Sequence, residues 1–147
     1  MKVKLRNPTL NDLKKIYEIE TSSFVHPYSA LSLFSLIMLH SDTSLVAEVN
    51  GEVVGFAIAA KEVGKKLHLL NFAVHPKYRR MGIGSALLRS LEKLAKKKGV
   101  KEIYLEVEED NFAAISLYEK MGFKKKKIIK KYYPWGKDAV VMVKELA

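Results

Sequence analysis

Apolar positions along the chain recur with two periods, and the switches between them mark out the elements. Met1-Lys2-Val3-Lys4-Leu5-Arg6 alternates charged and apolar residues as a strand does. Leu10, Leu13, Ile16 and Tyr17 then fall on one helical face, with Thr9 placed to cap and Asp12 to return the capping interaction; this helix is expected to reach about Ser22. An aromatic loop, Phe24-Val25-His26-Pro27-Tyr28-Ser29, follows, and Ser29 can cap a second, apolar helix through about Leu39. Ser44 to Val49 and Glu52 to Glu62 read as strands joined by Asn50-Gly51, a strong hairpin signal. After a turn at Gly64-Lys65, the apolar run Leu69 to Val74 has strand length, and His75-Pro76 ends it because proline has no N–H to give a ladder.

From Ile83 the period is helical again through Leu87, Leu88, Leu91, Leu94 and Ala95; Lys96, Lys97 and Lys98 suit the negative end of the helix dipole and Gly99 suits a cap. Glu102 to Val107 is a further strand. Because a helix leads to it, it should run parallel to Leu69 to Val74, with both carboxyl ends opening at the same sheet edge. Asn111 to Met121 reads as a helix, capped by Asp110 or Asn111 and ended by Gly122. Phe123 to Tyr133 and Ala139 to Glu145 read as strands around Pro134-Trp135-Gly136. The pattern predicts one α/β domain over residues 1–147, with a mixed, mostly antiparallel sheet containing one parallel pair.

Composition narrows the chemistry. The chain has 147 residues and no cysteine, which excludes disulfides, thiolate metal sites and a cysteine nucleophile and fits a reducing, cytoplasmic compartment. No apolar run has the length of a membrane span or resembles a signal-peptide core. A formal net charge of +10, with runs at Lys96 to Lys98, Lys124 to Lys127 and Lys130-Lys131, raises a nucleic-acid or ribosome-associated module as one reading. No helix-turn-helix, RNP-like or zinc pattern accompanies the runs, which are more often a solvated face, so nucleic acid is not the expected partner. His26 lies in the aromatic loop, His75 at a strand end, and His40 and His68 show no ligand spacing with an acidic partner; no metal is expected.

Three features carry candidate chemistry. Gly82 and Gly84 stand where a loop opens into a helix, so the unpaired N–H groups there can cradle a phosphate, although glycines also serve plain turns. The spacing is neither the dinucleotide fingerprint nor a P-loop. Glu106 lies inside its strand, facing away from Leu105 and Val107, and can serve as a base; Glu109 and Asp110 suit the positive end of the following helix. Tyr118 reads on spacing alone as a core aromatic beside Leu117, with Ala114 one turn back leaving its edge accessible.

Arg79-Arg80-Met81-Gly82-Ile83-Gly84 resembles the Q/R-x-x-G-x-G/A motif with which the GNAT superfamily of N-acetyltransferases holds the pyrophosphate of acetyl-CoA, and Asn71-Phe72-Ala73-Val74 resembles the strand laid beside the pantetheine arm. Leu105-Glu106-Val107, Asn111, Ala114, Leu117 to Phe123 and Tyr132-Tyr133-Pro134 resemble the carboxyl half of the RimI branch, the ribosomal-protein alanine N-acetyltransferases. The resemblance implies a GNAT fold, helices on both faces of a sheet whose parallel pair splays to admit CoA, and acetyl-CoA as cosubstrate. It implies Glu106 as general base and Tyr118 as general acid. Phe72, Ala73, Val74, Arg79, Arg80, Met81, Gly82, Ile83, Gly84, Ser85, Asn111 and Tyr118 would hold the cosubstrate. One departure stands out: Glu108 and Asp110 occupy places where the branch usually has arginine and serine.

The implied reaction is direct transfer to an α-amino group. That group is partly protonated at neutral pH and needs a base; the tetrahedral oxyanion needs a donor, expected from a backbone N–H of Phe72 to Val74; the departing thiolate needs a proton. Phe24, Pro27 and Tyr28 on one side and Tyr132 and Tyr133 on the other are expected to form a slot for a chain terminus. Protein N-termini are thus the expected acceptors, with ribosomal proteins among the candidates; lysine or small-molecule amines are the alternative within the same fold.

Overall fold

A computed structural model describes residues 1–147. Strand β1 (Val3–Arg6) leads through a capping box at Thr9 and Asp12 into α1 (Leu13–Ser23), and Ser29 caps α2 (Ala30–His40), its hydroxyl accepting the Ser32 N–H at 3.1 Å. Then follow β2 (Leu45–Val49), β3 (Glu52–Glu62), β4 (Lys66–Val74), α3 (Ile83–Lys97), β5 (Glu102–Glu108), α4 (Phe112–Lys120), β6 (Lys124–Ile129) and β7 (Ala139–Glu145). The seven strands form one sheet in the order β1-β2-β3-β4-β5-β7-β6, antiparallel throughout except for β4 and β5. No helix is long and apolar enough to cross a membrane.

Two clusters lie on opposite faces. Ile16, Ile19, Leu33 and Ile37 of α1 and α2 pack on Val46, Phe56 and Ile58, while Ile83, Leu87 and Leu91 of α3 and Ile115 of α4 pack on Ala47, Ala57, Leu67, Leu105 and Val107. Covered on both sides, β3 is buried from Val53 to Ala60, whereas β5 alternates, with Ile103, Leu105 and Val107 inward. Outermost β6 is exposed from Lys124 to Ile128.

The parallel pair is much shorter than expected. Only Lys66, Leu67 and His68 pair with β5, opposite Glu102, Ile103 and Tyr104; Leu69 to Val74 runs in the same direction without pairing. Between Ile58 and Ala59 the β3–β4 register shifts, leaving Leu70 without a partner, and such a bulge bends its strand. β4 therefore diverges from β5 and leaves a wedge-shaped gap. The second difference is at β6, which stops at Ile129. Lys131 adopts a left-handed φ of 51° and gives its N–H to Asp138 Oδ1 at 2.8 Å, so Lys130 to Tyr133 belong to a loop.

Candidate active site

The gap ends at the amino terminus of α3. Gly82, the N-cap, holds φ of 82° and has no side chain to cap the first N–H groups, and the first turn carries no acidic residue. The positive helix end is thus left for an outside anion, and the residues fit a phosphate. Gly84 lets the helix start lie close to β4 and α4: a Cβ there would lie 3.3 Å from Phe72 Cζ and 3.4 Å from Leu117 Cδ2, and those side chains would have to shift slightly. The two arginines divide their work. Arg79 gives Nε–H to the Val74 carbonyl at 2.9 Å and Nη2–H to Ser23 Oγ at 3.0 Å, pinning the loop to α1, while Arg80 turns the backbone with φ of 62°. Met81 is exposed and Ile83 is anchored in the core. Asn111 Oδ1 accepts the Ala114 N–H at 3.3 Å and so caps α4.

Glu106 points to the face that bears α1 and α2, at the mouth of the gap. Its Oε1 lies 2.7 Å from His68 Nε2 and 3.5 Å from the Tyr132 hydroxyl, which donates to it. His68 Nδ1 in turn lies 3.4 Å from Glu62 Oε2, and Tyr104, stacked on the His68 ring at 4.2 Å, donates its hydroxyl to Glu62 Oε1 at 2.6 Å. Cross-strand register, which the sequence spacing does not show, thereby gives His68 two acidic neighbours. Burial alone would lower the His68 pKa, but the hydrogen bond and charge of Glu106, followed by those of Glu62, outweigh it and raise the value above the ordinary one.

Tyr118 lies on the other face. Its ring packs at 6.0 Å from Phe72 and 5.7 Å from Phe123, and burial alone pushes its hydroxyl well above the ordinary phenol value, keeping it protonated. Base and acid candidates thus approach the gap from opposite sides of the sheet. In β4 the His75 N–H bonds to Val54 of β3 at 2.7 Å, so by alternation the Phe72 and Val74 N–H groups face the gap; that of Phe72 is shared with Asn71 Oδ1 at 3.0 Å.

Two loops wall the other side. Glu20, buried in α1 with its pKa raised by that burial, accepts the Tyr28 N–H at 2.9 Å and Asn71 Nδ2–H at 2.7 Å, tying the α1–α2 loop to β4. Tyr28 gives its hydroxyl to the Leu70 carbonyl at 3.4 Å, across from Tyr132. Phe24 packs into the α1–α2 cluster and serves the scaffold, while Pro27 is exposed in the loop. Opposite, Tyr132 meets Tyr133 edge-on at 4.9 Å, Tyr133 stacks on Trp135 at 5.1 Å, and Trp135 stacks on His26 at 3.9 Å. This ladder joins the two walls.

The Acetyltransferase (GNAT) family matches residues 13–123. The chain belongs to the GNAT family of acetyltransferases. It is 36% identical to the N-alpha-acetyltransferase of Sulfurisphaera tokodaii over 97% of this chain and 93% of that one. With the [ribosomal protein bS18]-alanine N-acetyltransferase of Escherichia coli K12 the identity is 37% over 89% of each chain. The crystal structure of Arabidopsis thaliana Naa50 in complex with the bisubstrate analogue CoA-Ac-MVNAL superposes with a TM-score of 0.84 at 27% identity, covering 98% of this chain and 99% of that one.

Within this GNAT frame, the charge departure at Glu108 and Asp110 has a structural use. Glu108 accepts the Trp135 indole N–H, Asp110 pairs with Lys137 at 2.9 Å, and the Glu109 N–H bonds to the Asp138 carbonyl at 3.1 Å. The acidic exit of β5 therefore pins the β6–β7 loop that carries Tyr132 and Tyr133. Sequence reasoning did not single out His68, Glu62, Tyr104, Trp135 or Glu20. His68 alternates with Leu67 and Leu69 in an exposed-face position, a signal of sorts, but its alignment with Glu106 depends on a register that no local pattern encodes.

Proposed function

We propose that this GNAT enzyme acetylates the α-amino group of protein or peptide N-termini from acetyl-CoA by direct transfer. The observation that carries this reading is the placement of Glu106, hydrogen-bonded to His68, at the mouth of the β4–β5 gap and beneath the Tyr28 and Tyr132 hydroxyls. A narrow slot with polar tips on both walls suits an extended chain terminus. The relatives named for N-alpha and ribosomal-protein alanine acetylation support the same acceptor class.

Acetyl-CoA as cosubstrate supplies the activated acetyl group. Phe72, Ala73 and Val74 line the gap for its arm, and the backbone from Arg79 to Ser85, with Asn111 nearby, takes its phosphates. Glu106 removes the amine proton, and the His68–Glu62 pair gives that proton a route toward solvent. An N–H of Phe72 or Val74 stabilises the oxyanion. Tyr118, kept protonated by burial, protonates the leaving thiolate. Base, oxyanion donor and acid all come from the chain, so the step calls for no metal. We place the enzyme in the cytoplasm, where a cysteine-free chain meets both acetyl-CoA and emerging N-termini.

The test is acetyl transfer to short peptides with free or blocked N-termini by wild type, Glu106→Gln and Tyr118→Phe. Acetylation of free N-termini, with a loss of about a hundredfold or more in kcat for either variant and CoA binding retained, supports the reading. Better turnover of blocked, lysine-bearing peptides would remove the Nα assignment.

A further inference from the structure

We propose, resting on the N-terminal acetylation reading, that the uncovered face of β5, β7 and β6 reads the acceptor's second to fourth residues and selects acidic ones. Glu106 lies opposite Val141 of β7, and Val141 lies opposite Lys127 of β6, so the three residues form one row across the sheet. The next row but one runs Tyr104, Val143, Lys124. In an unbroken strand Lys124 and Lys127 would face opposite ways, because side chains alternate. The register shift between Lys125 and Lys127 inserts Lys126 without a partner and turns both Lys124 and Lys127 onto the face of Glu106.

A cavity of about 270 Å³ opens on this face, with Glu106 at one side and Lys126 and Lys127 at the other. Its carboxylates all have partners within the protein: Glu62 accepts from Tyr104 and shares His68 with Glu106, and Glu102 pairs with Lys66 at 3.7 Å. Its β6 lysines do not. Lys124 to Lys127 take part in no ion pair. At the β6 side of the cavity, across from Glu106, the unpaired charge is therefore positive. Lysines on an edge strand also discourage strand pairing between molecules, and that role suffices for Lys125. It does not require a bulge that brings three lysines to the base's face.

Distances fit an extended acceptor. Two strand spacings separate Glu106 from Lys127, roughly 10 Å between backbones. An extended chain covers that in about three residues. With its amine at Glu106, an acceptor crossing β7 would present its second to fourth side chains to Lys124, Lys126 and Lys127.

The test measures kcat/KM for peptides sharing a first residue and length, with residues 2 to 4 acidic, neutral or basic, at low and at 1 M salt. Wild type should prefer acidic over basic peptides by about tenfold or more, with the ratio collapsing at high salt. Lys126→Glu/Lys127→Glu should invert the ratio, and Lys126→Gln/Lys127→Gln should bring it toward one. A wild-type ratio near one, or a ratio that neither salt nor the double variants alter, overturns the proposal while leaving N-terminal acetylation intact. Salt-steep binding of unrelated RNA, lost in the Glu double variant and accompanied by a peptide ratio near one, would assign the lysines to polyanion binding and overturn it as well. If no free N-terminus is acetylated whatever follows it, the underlying reading fails and the selection proposal falls with it.

Discussion

β3 and β5 flank the same strand, yet they are built for different ends. Helices cover β3 on both faces, and eight consecutive residues from Val53 to Ala60 are buried. β5 is covered only by α3 and α4, so one face holds Ile103, Leu105 and Val107 while the other presents Tyr104, Glu106 and Glu108 on the helix-free side. The difference shows where a small domain can place chemistry. A two-sided strand spends every side chain on packing, whereas a half-covered one keeps alternate positions free at almost no cost to the core.

Substitutions in the two strands should separate stability from rate. Phe56→Ala, at a fully buried site in β3, is expected to cost about 3–5 kcal/mol of stability, whereas Val143→Ala, in β7 opposite Tyr104 of β5 and only partly buried, should cost about 1 kcal/mol or less; denaturant unfolding of both checks the contrast. Similar losses would mean that the open face packs as tightly as the covered one. At a pH where His68 is neutral, Glu106→Gln should leave unfolding nearly unchanged and lower kcat about a hundredfold, so that the open strand fails in rate without failing in fold.

A smaller effect is expected in the pH profile. Protonated His68 holds Glu106 in an ion pair and occupies the Oε1 that is to take the amine proton, so kcat/KM should rise with pH through a value above the ordinary histidine pKa of about 6.5. The sign for stability is opposite: this pair stabilises the fold fully below the unfolded-state value and the contribution is lost as pH rises through the raised one. His68→Gln should remove that limb of the profile, and an unchanged profile would detach His68 from the base. Smallest is Trp135→Ala, which unstacks His26 and Tyr133 and loosens one wall. Peptide KM should rise about tenfold or less with kcat nearly constant, as steady-state kinetics would show.

What the sequence made legible was local. The Thr9–Asp12 capping box, the Ser29 cap, the Asn50-Gly51 turn and the glycine loop before α3 all act within a few residues, and each stands where its residues predict. Glu106 and Tyr118 became candidates through a motif, and the fold places the Tyr132 hydroxyl against Glu106 and the Tyr28 hydroxyl against the Leu70 carbonyl. What stayed hidden depends on long-range register. The pairing of His68 with Glu106 follows from three paired residues and a bulge at Leu70, and the His26–Trp135 stack joins two loops whose own sequences say nothing of each other. Glu108 and Asp110 stood out only as a departure from the branch pattern because their partners, Trp135 and Lys137, come from a loop with no helical or strand periodicity.

The divergence of β4 from β5 also sets how the molecule breathes. Beyond His68 the gap-facing N–H groups of β4 have no neighbouring strand, so they should exchange with solvent faster than those of β3, which are bonded and covered. A ligand arm lying in the gap supplies the missing acceptors and slows that exchange. Because it binds only the folded chain, it also raises the free energy of unfolding, by about 2.7 kcal/mol at a hundred times its dissociation constant. The enzyme is thus expected to unfold less readily with cosubstrate in the gap than without it, and the row of N–H groups left open inside its sheet is the one that such a ligand would bond.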